Sequence, residues 1–268
     1  MAPDHTMDEN APQHQRRIRY KGAYPRSFKE KYKELQPERY ADAVARVIQK
    51  GSTPAGTHRS ICVEEILELL QIRPGQTGLD ATLGYGGHTL AMLKCLDSKG
   101  RLYAIDVDPI ELPRTQERLE RLGFGTDILE IRQMNFSQID QLTYESGPFN
   151  FVLADLGVSS MQIDNPDRGF SFRAEGPLDL RLNPTRGRSA ANRLKKMTLD
   201  ELQNMLVENA DEPHAGVIAR TIISSLKKGI EISTTTQLRN IIQEALKSVP
   251  KISEDEMKKS CQRCFQAL

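Results

Sequence analysis

Along the first half of the chain, apolar positions alternate between two periods. A helical spacing over His58–Ile72 places Ile61, Val63, Ile66, Leu67, Leu69 and Leu70 on one face, and Pro74-Gly75 then turns the chain. Four short β-prone runs follow: Leu79–Leu83, Arg101–Asp106, Ile128–Arg132 and Phe149–Asp155. Helix-compatible stretches separate the first three, notably His88–Leu96 and Pro109–Leu122, and this alternation predicts an α/β fold with a parallel sheet. Beyond Asn165 the pattern changes. Asn165–Pro184 carries too many Gly and Pro residues for regular structure, and only helical periods come after it. Thr198-x-x-Glu201 predicts a capping box opening Leu199–Asn209, Pro213–Lys228 is amphipathic, and Thr234-x-x-Gln237 opens Leu238–Ser248. The expected organisation is an N-terminal extension (1–56), an α/β core (57–165), an inserted helical unit (166–253) and the start of a return to the core (254–268).

The stretch Gly78–His88 is the densest local signal. It reads as a strand end with Asp80, a turn with Gly84, Gly86 and Gly87, then a helix start at His88. Glycines permit positive φ and a close approach of backbone to ligand, and the free N–H groups of the next helix face the same space. Asp106 closes the second strand about 20 positions later, where a carboxylate meets ribose hydroxyls in doubly wound folds. A dinucleotide fingerprint would want a third glycine where Thr89 stands, so the pair points to a nucleoside-containing cofactor without choosing one; a plain strand-to-helix turn is the alternative. Phe136, just after the third strand, is placed to pack on an adenine or to sit in the core. Asp155 begins a second polar cluster, Asp155-Leu-Gly-Val-Ser-Ser160, at the carboxyl end of the fourth strand. Phe170, Phe172 and Met161 either wall a flat substrate or form a small core of their own.

Charge and cysteines narrow the class. Lys plus Arg (37) nearly cancels Asp plus Glu (36), which argues against a protein that coats polyanions over its whole surface. Two local exceptions stand out. Arg16–Arg39 sets nine basic residues against three acidic ones with aromatics interleaved, suiting either phosphate contact and base stacking or a packed, solvated helix. Arg181–Lys196 carries six basic residues (Arg181, Arg186, Arg188, Arg193, Lys195, Lys196) and no acidic one. No apolar run nears the roughly 18 residues that span a bilayer and Met1–Gln15 lacks a secretory core, so a cytoplasmic protein is expected. Cys261-x-x-Cys264 has zinc-like spacing but no second pair, and reads as an i, i+3 coincidence on a helix.

No hydride-transfer partner stands out for a dehydrogenase, and an adenosyl methyl donor suits the Gly84–His88 turn better. Six segments carry a family likeness: His58-Arg-Ser-Ile-Cys-Val-Glu-Glu, Asp80-Ala-Thr-Leu-Gly-Tyr-Gly-Gly-His, Ala104-Ile-Asp-Val-Asp-Pro, Asp155-Leu-Gly-Val-Ser-Ser-Met-Gln-Ile-Asp, Arg168-Gly-Phe-Ser-Phe-Arg and Gly176-Pro-Leu-Asp-Leu-Arg. In that order and spacing they closely resemble the bacterial S-adenosylmethionine-dependent methyltransferases that modify the N4 amine of a cytosine in 16S rRNA. The resemblance covers about His58 to Leu268; the family usually has Pro where Met161 stands. It implies a class I, Rossmann-like methyltransferase core with an inserted all-helical domain, S-adenosyl-L-methionine as cofactor, and 16S rRNA or the small ribosomal subunit as partner. It also implies cofactor contacts at Gly86, Gly87, His88, Asp106, Phe136, Asp155 and Gln162; for His88 and Gln162 nothing else in the sequence argues this.

Asp155 is the candidate catalytic group, as acceptor for an N–H of the cytosine amine, with a cofactor contact as its alternative role. Methylation at ring carbon C5 would call for a cysteine nucleophile, often following proline, and the chain has no Pro-Cys pair. The target base would be unstacked, with Arg181–Lys196 holding flanking phosphates. Family members continue for about another hundred residues, which resemblance assigns to the last strands of a seven-stranded sheet. The expectation is therefore an incomplete sheet with Phe149–Asp155 as an apolar edge, and a fragment poorly soluble or inactive alone. The competing classes are a non-catalytic RNA-binding remnant and a methyltransferase for another substrate.

Overall fold

A computed structural model describes residues 60–268. The expectations for 1–56, Arg16–Arg39 among them, lie outside these residues. A helix, α1 (Val63–Leu70), leads into the first strand, β1 (Thr77–Asp80). Three βα crossovers then follow: α2 (Gly87–Leu96) to β2 (Arg101–Asp106), α3 (Leu112–Arg121) to β3 (Leu129–Gln133), and α4 (Ile139–Ser146) to β4 (Phe151–Leu153). All pairings are parallel and the strand order is β3-β2-β1-β4.

The chain thus moves outward from β1 to β3 and then returns to the other side of β1. Loops leaving the carboxyl ends of β1 and β4 diverge there, and a crevice opens, as at the switch point of doubly wound folds. β2 is buried from Leu102 to Ile105 because both sheet faces are covered there. Leu102 and Ala104 pack with Met92, Leu93, Leu96 and Leu119 on one face, and Tyr103 and Ile105 pack with Leu79 and Leu142 on the other. Gly78 pairs with Phe151, and a Cβ at Gly78 would run into the Phe151 ring. β4 pairs with β1 alone among the described residues, leaving Val152 exposed on the outer edge.

After α5 (Ser160–Asp164) and a 3₁₀ turn at Pro166–Arg168, the chain builds a second, helical core. It comprises α6 (Ala190–Leu194), α7 (Leu199–Ala210), α8 (Ala215–Lys227), α9 (Thr235–Leu246) and α10 (Glu254–Ala267). The capping boxes expected at Thr198/Glu201 and Thr234/Gln237 are present. Leu202, Leu206, Ile218, Ile222, Leu238 and Ile242 are buried together in this core. α10 joins the same core instead of turning back to the sheet: it packs on α7 and α9, with Cys261, Cys264 and Phe265 buried. The two cysteines share the inner face of α10 at i, i+3, and burial pushes the Cys261 thiol up to about 11. The Gly/Pro-rich segment is stitched to the start of α9. Leu178 N donates to Ser233 O at 2.8 Å, and a Cβ at Gly176 would strike the Pro166 carbonyl, so two backbones pass in close contact there.

Candidate cofactor cleft

The crevice at the strand ends is a cavity of about 610 Å³, within the range of small-molecule sites. Its floor begins with the glycine turn. Gly84 and Gly86 take positive φ (+49° and +66°), and Gly86 caps α2. A Cβ at Gly86 would stand 2.9 Å from Thr115 Cγ2, so space as well as backbone conformation requires glycine. The N–H groups of Gly87 and His88 open α2 without an intrahelical acceptor, beside the cavity.

Asp106, closing β2, holds this turn in place. Its Oδ2 accepts from Gly84 N at 2.8 Å and its Oδ1 from Asp108 N at 2.9 Å. Each carboxylate oxygen keeps a second lone pair, so two hydroxyls can still be received. Beneath the turn, Asp80 is buried and accepts from Thr89 Oγ1 at 2.6 Å and Thr82 N at 3.0 Å. Burial raises its carboxyl above the ordinary value, and these hydrogen bonds oppose the shift. Tyr85 leans across the cavity, its hydroxyl 3.4 Å from Ser159 Oγ, and burial together with nearby Glu111 raises its phenol. Glu111 lines the same side and is raised chiefly by burial, against the pull of Arg114.

On the β4 side, Asp155 N donates to Thr82 Oγ1 at 2.8 Å, anchoring the backbone, while the side chain is 47% exposed. Asp155 Oδ2 lies 3.6 Å from His88 Nε2, a buried atom with no hydrogen-bond partner among the described residues. Phe136, on a 3₁₀ turn capped by Asn135, presents a ring that is 48% exposed at the end of β3. Gln162 belongs to the capping box of α5: its Oε1 accepts from Ser159 N and its Nε2 donates to Asp108 Oδ2 at 2.7 Å. Its amide is thus engaged with protein at both ends although it lines the cavity.

All seven residues expected at a cofactor site, Gly86, Gly87, His88, Asp106, Phe136, Asp155 and Gln162, border this one cavity. Phe170 and Phe172 do not line it; Phe172 packs with Phe265 against the helical core. Ser159 of the Asp155–Ser160 polar cluster also lines the cavity, as do Thr82, Tyr85 and Glu111, for which the sequence suggests no separate role; beneath them lies the buried pair of Asp108 and Arg168 at 2.9 Å. Ser159-x-x-Gln162 is a capping-box spacing.

A parallel sheet reversing at β1, with a glycine turn after that strand and a carboxylate closing its neighbour, defines a nucleoside-cofactor α/β protein of the class I methyltransferase type. Residues 55–268 match the MraW methylase family, and the chain belongs to that family. Its methyl donor is S-adenosylmethionine. It is 74% identical over 263 residues to "Ribosomal RNA small subunit methyltransferase H 2" of Alkaliphilus metalliredigens, covering 98% of this chain and 75% of that protein. It is 63% identical over 262 residues to "Ribosomal RNA small subunit methyltransferase H 1" of Lachnoclostridium phytofermentans (97% and 72% covered). The protein named "Ribosomal RNA small subunit methyltransferase H 2" in Acholeplasma laidlawii is 51% identical (98% and 75% covered).

Proposed function

We propose that this chain, acting in the cytoplasm, methylates the N4 amine of a cytosine in 16S rRNA of the small ribosomal subunit. One observation carries the proposal: the glycine turn, the Asp106 carboxylate and the half-exposed Asp155 converge on a single cleft. The names of relatives covering nearly the whole chain support the choice of RNA.

The donor supplies an electrophilic methyl group on a sulfonium sulfur. In this assignment Asp106 receives the ribose hydroxyls through its outer lone pairs, and the Phe136 ring packs on the adenine. The Gly87 and His88 amides face the carboxylate of the methionine tail. Gln162 braces the cleft through Asp108 and lies against the bound donor.

Asp155 acts on the acceptor. The cytosine amine delocalises its lone pair into the ring and attacks well only when an acceptor draws on its N–H and holds it in line. An exposed carboxylate whose backbone is pinned to Thr82 Oγ1 meets that need. His88 Nε2, 3.6 Å away, helps orient it. Ile61, Leu156 and Val158 are exposed apolar residues on the cavity wall, suited to an unstacked base that has lost its neighbours. The helical core beyond Pro166 serves as the RNA-recognition unit.

The test is transfer of labelled methyl from S-adenosylmethionine to small ribosomal subunits and to free 16S rRNA, followed by digestion to nucleosides. Label in N4-methylcytidine is expected. Label at C5, in another nucleoside or in protein would reject the assignment.

A further inference from the structure

The six cations between Arg181 and Lys196 are not equivalent. Arg181 is turned inward: Nε and Nη2 donate to the Asp179 carboxylate at 2.7 and 2.6 Å, and Nη1 donates to the carbonyls of Arg186 and Gly187 at 3.3 and 3.0 Å. Arg193 donates to the Leu268 carbonyl at 2.8 Å, and Lys195 pairs with Glu231 at 3.6 Å. Arg186, Arg188 and Lys196 are exposed and have no side-chain hydrogen bond or ion pair among the described residues. Arg186 and Arg188 flank Gly187, on a turn that begins beside Leu182, a residue of the cofactor cavity.

The backbone of this turn is fixed on both sides. Buried Arg168, paired with Asp108 below the cavity, donates to Leu182 O at 2.7 Å. Arg186 N donates to Asn183 O, Thr185 is bound to Asn183 Oδ1 through both N and Oγ1, and Ala190 N closes onto Asp179 O at 2.9 Å. Leu180 sits at φ +60°, a conformation a leucine keeps only where its surroundings impose it. A buried arginine and an inward arginine therefore act as struts beneath two free guanidinium groups. Little ordering of the turn's backbone is left to be done when a ligand arrives. Guanidinium is the side chain that matches phosphate with paired N–H donors.

We infer that the Asn183–Arg188 turn is a phosphate-contact element at the cleft mouth, with Arg186 and Arg188 touching the RNA backbone beside the flipped base and Arg181 and Arg168 holding the turn. This rests on RNA being the substrate of the same cleft. Two residues apart, the contact groups span at most about 7 Å of backbone, so they serve one short stretch of strand.

The test is the salt dependence of binding to a 16S rRNA transcript between 50 and 200 mM KCl, for the wild type, R186Q/R188Q, and K94Q/K99Q as a control with equal charge loss at exposed lysines toward the C-terminal end of α2, outside the helical core and away from the cleft. Each phosphate contact contributes roughly 0.7–0.9 to the slope of log K against log salt, so the arginine variant should be shallower by about 1.4–1.8. Its affinity for S-adenosylmethionine should equal that of the wild type, and the control should keep the wild-type slope. An unchanged slope in R186Q/R188Q, or an equal loss in the control, would overturn the inference. If the wild type binds the transcript with a salt slope but methylates no cytosine N4, the functional assignment falls and the turn is judged on its slope alone; no binding by the wild type would overturn both.

Discussion

The two walls of the cleft are built in opposite ways. Around β1 and β2 the protein's own groups occupy the carboxylates: Asp106 holds Gly84 and Asp108, and Asp80 holds Thr82 and Thr89. Beyond β4, Asp155 is pinned through its backbone, and its half-exposed side chain accepts no hydrogen bond among the described residues, with His88 Nε2 3.6 Å away. The first wall is set before any ligand arrives, as binding demands. The second leaves a carboxylate available to a group that comes from outside. Under the proposed function, holding the donor falls to the first wall and acting on the acceptor to the second.

That division breaks most sharply at Asp155. Asp155→Asn keeps the backbone contact with Thr82 and removes the negative charge, so kcat should fall by about 10²–10⁴ while donor affinity measured by calorimetry stays near wild type. A large loss of donor affinity with kcat intact would make the second wall a binding wall too.

The next largest effect is on the joint between the walls. Arg168→Ala leaves Asp108 buried against Gln162 without its cation, and a destabilisation of about 3–5 kcal/mol is expected in urea unfolding. A change below about 1 kcal/mol would show that the pair does not fasten the helical core to the cleft.

The smallest effect reports on the floor of the first wall. Burial holds the Asp80 carboxyl above its ordinary 3.8, so ionisation costs more in the folded chain than in the unfolded one. The stability of the protonated form is fully present below 3.8 and is lost as pH rises through the raised value, at no more than about 1.4 kcal/mol per pH unit. Asp80→Asn does not titrate, so its deficit against wild type should narrow as pH rises. A deficit that widens would mean that hydrogen bonds to the carboxylate outweigh its desolvation.

The contrast also explains what could be seen in the sequence. Turn chemistry is local, so Gly84, Gly86 and Asp106 announced the first wall, and the capping boxes at Thr198 and Thr234 announced α7 and α9. α4 leaves little periodic signal in the sequence because it buries one leucine, Leu142, and exposes Tyr144. The fourth strand is shorter than its apolar run: Phe149 leaves the ladder to pack edge-on against Tyr103. The period of α10 reveals an apolar face but not which layer that face meets, and it meets the helices. Asp108 and Arg168 are sixty positions apart, and nothing in either neighbourhood tells one of the other. The charge of Arg181–Lys196 was plain, whereas its division into inward and outward arginines depends on carbonyls that only the folded chain brings together.

The most direct test of the account is a calorimetric titration of S-adenosylmethionine into the wild type and into Asp106→Ala. One saturable site is expected in the wild type and an affinity lower by about 100-fold or more in the variant, since two hydrogen bonds to a charged group are lost at roughly 1.5 kcal/mol or more each. Equal affinities in the two proteins would contradict it.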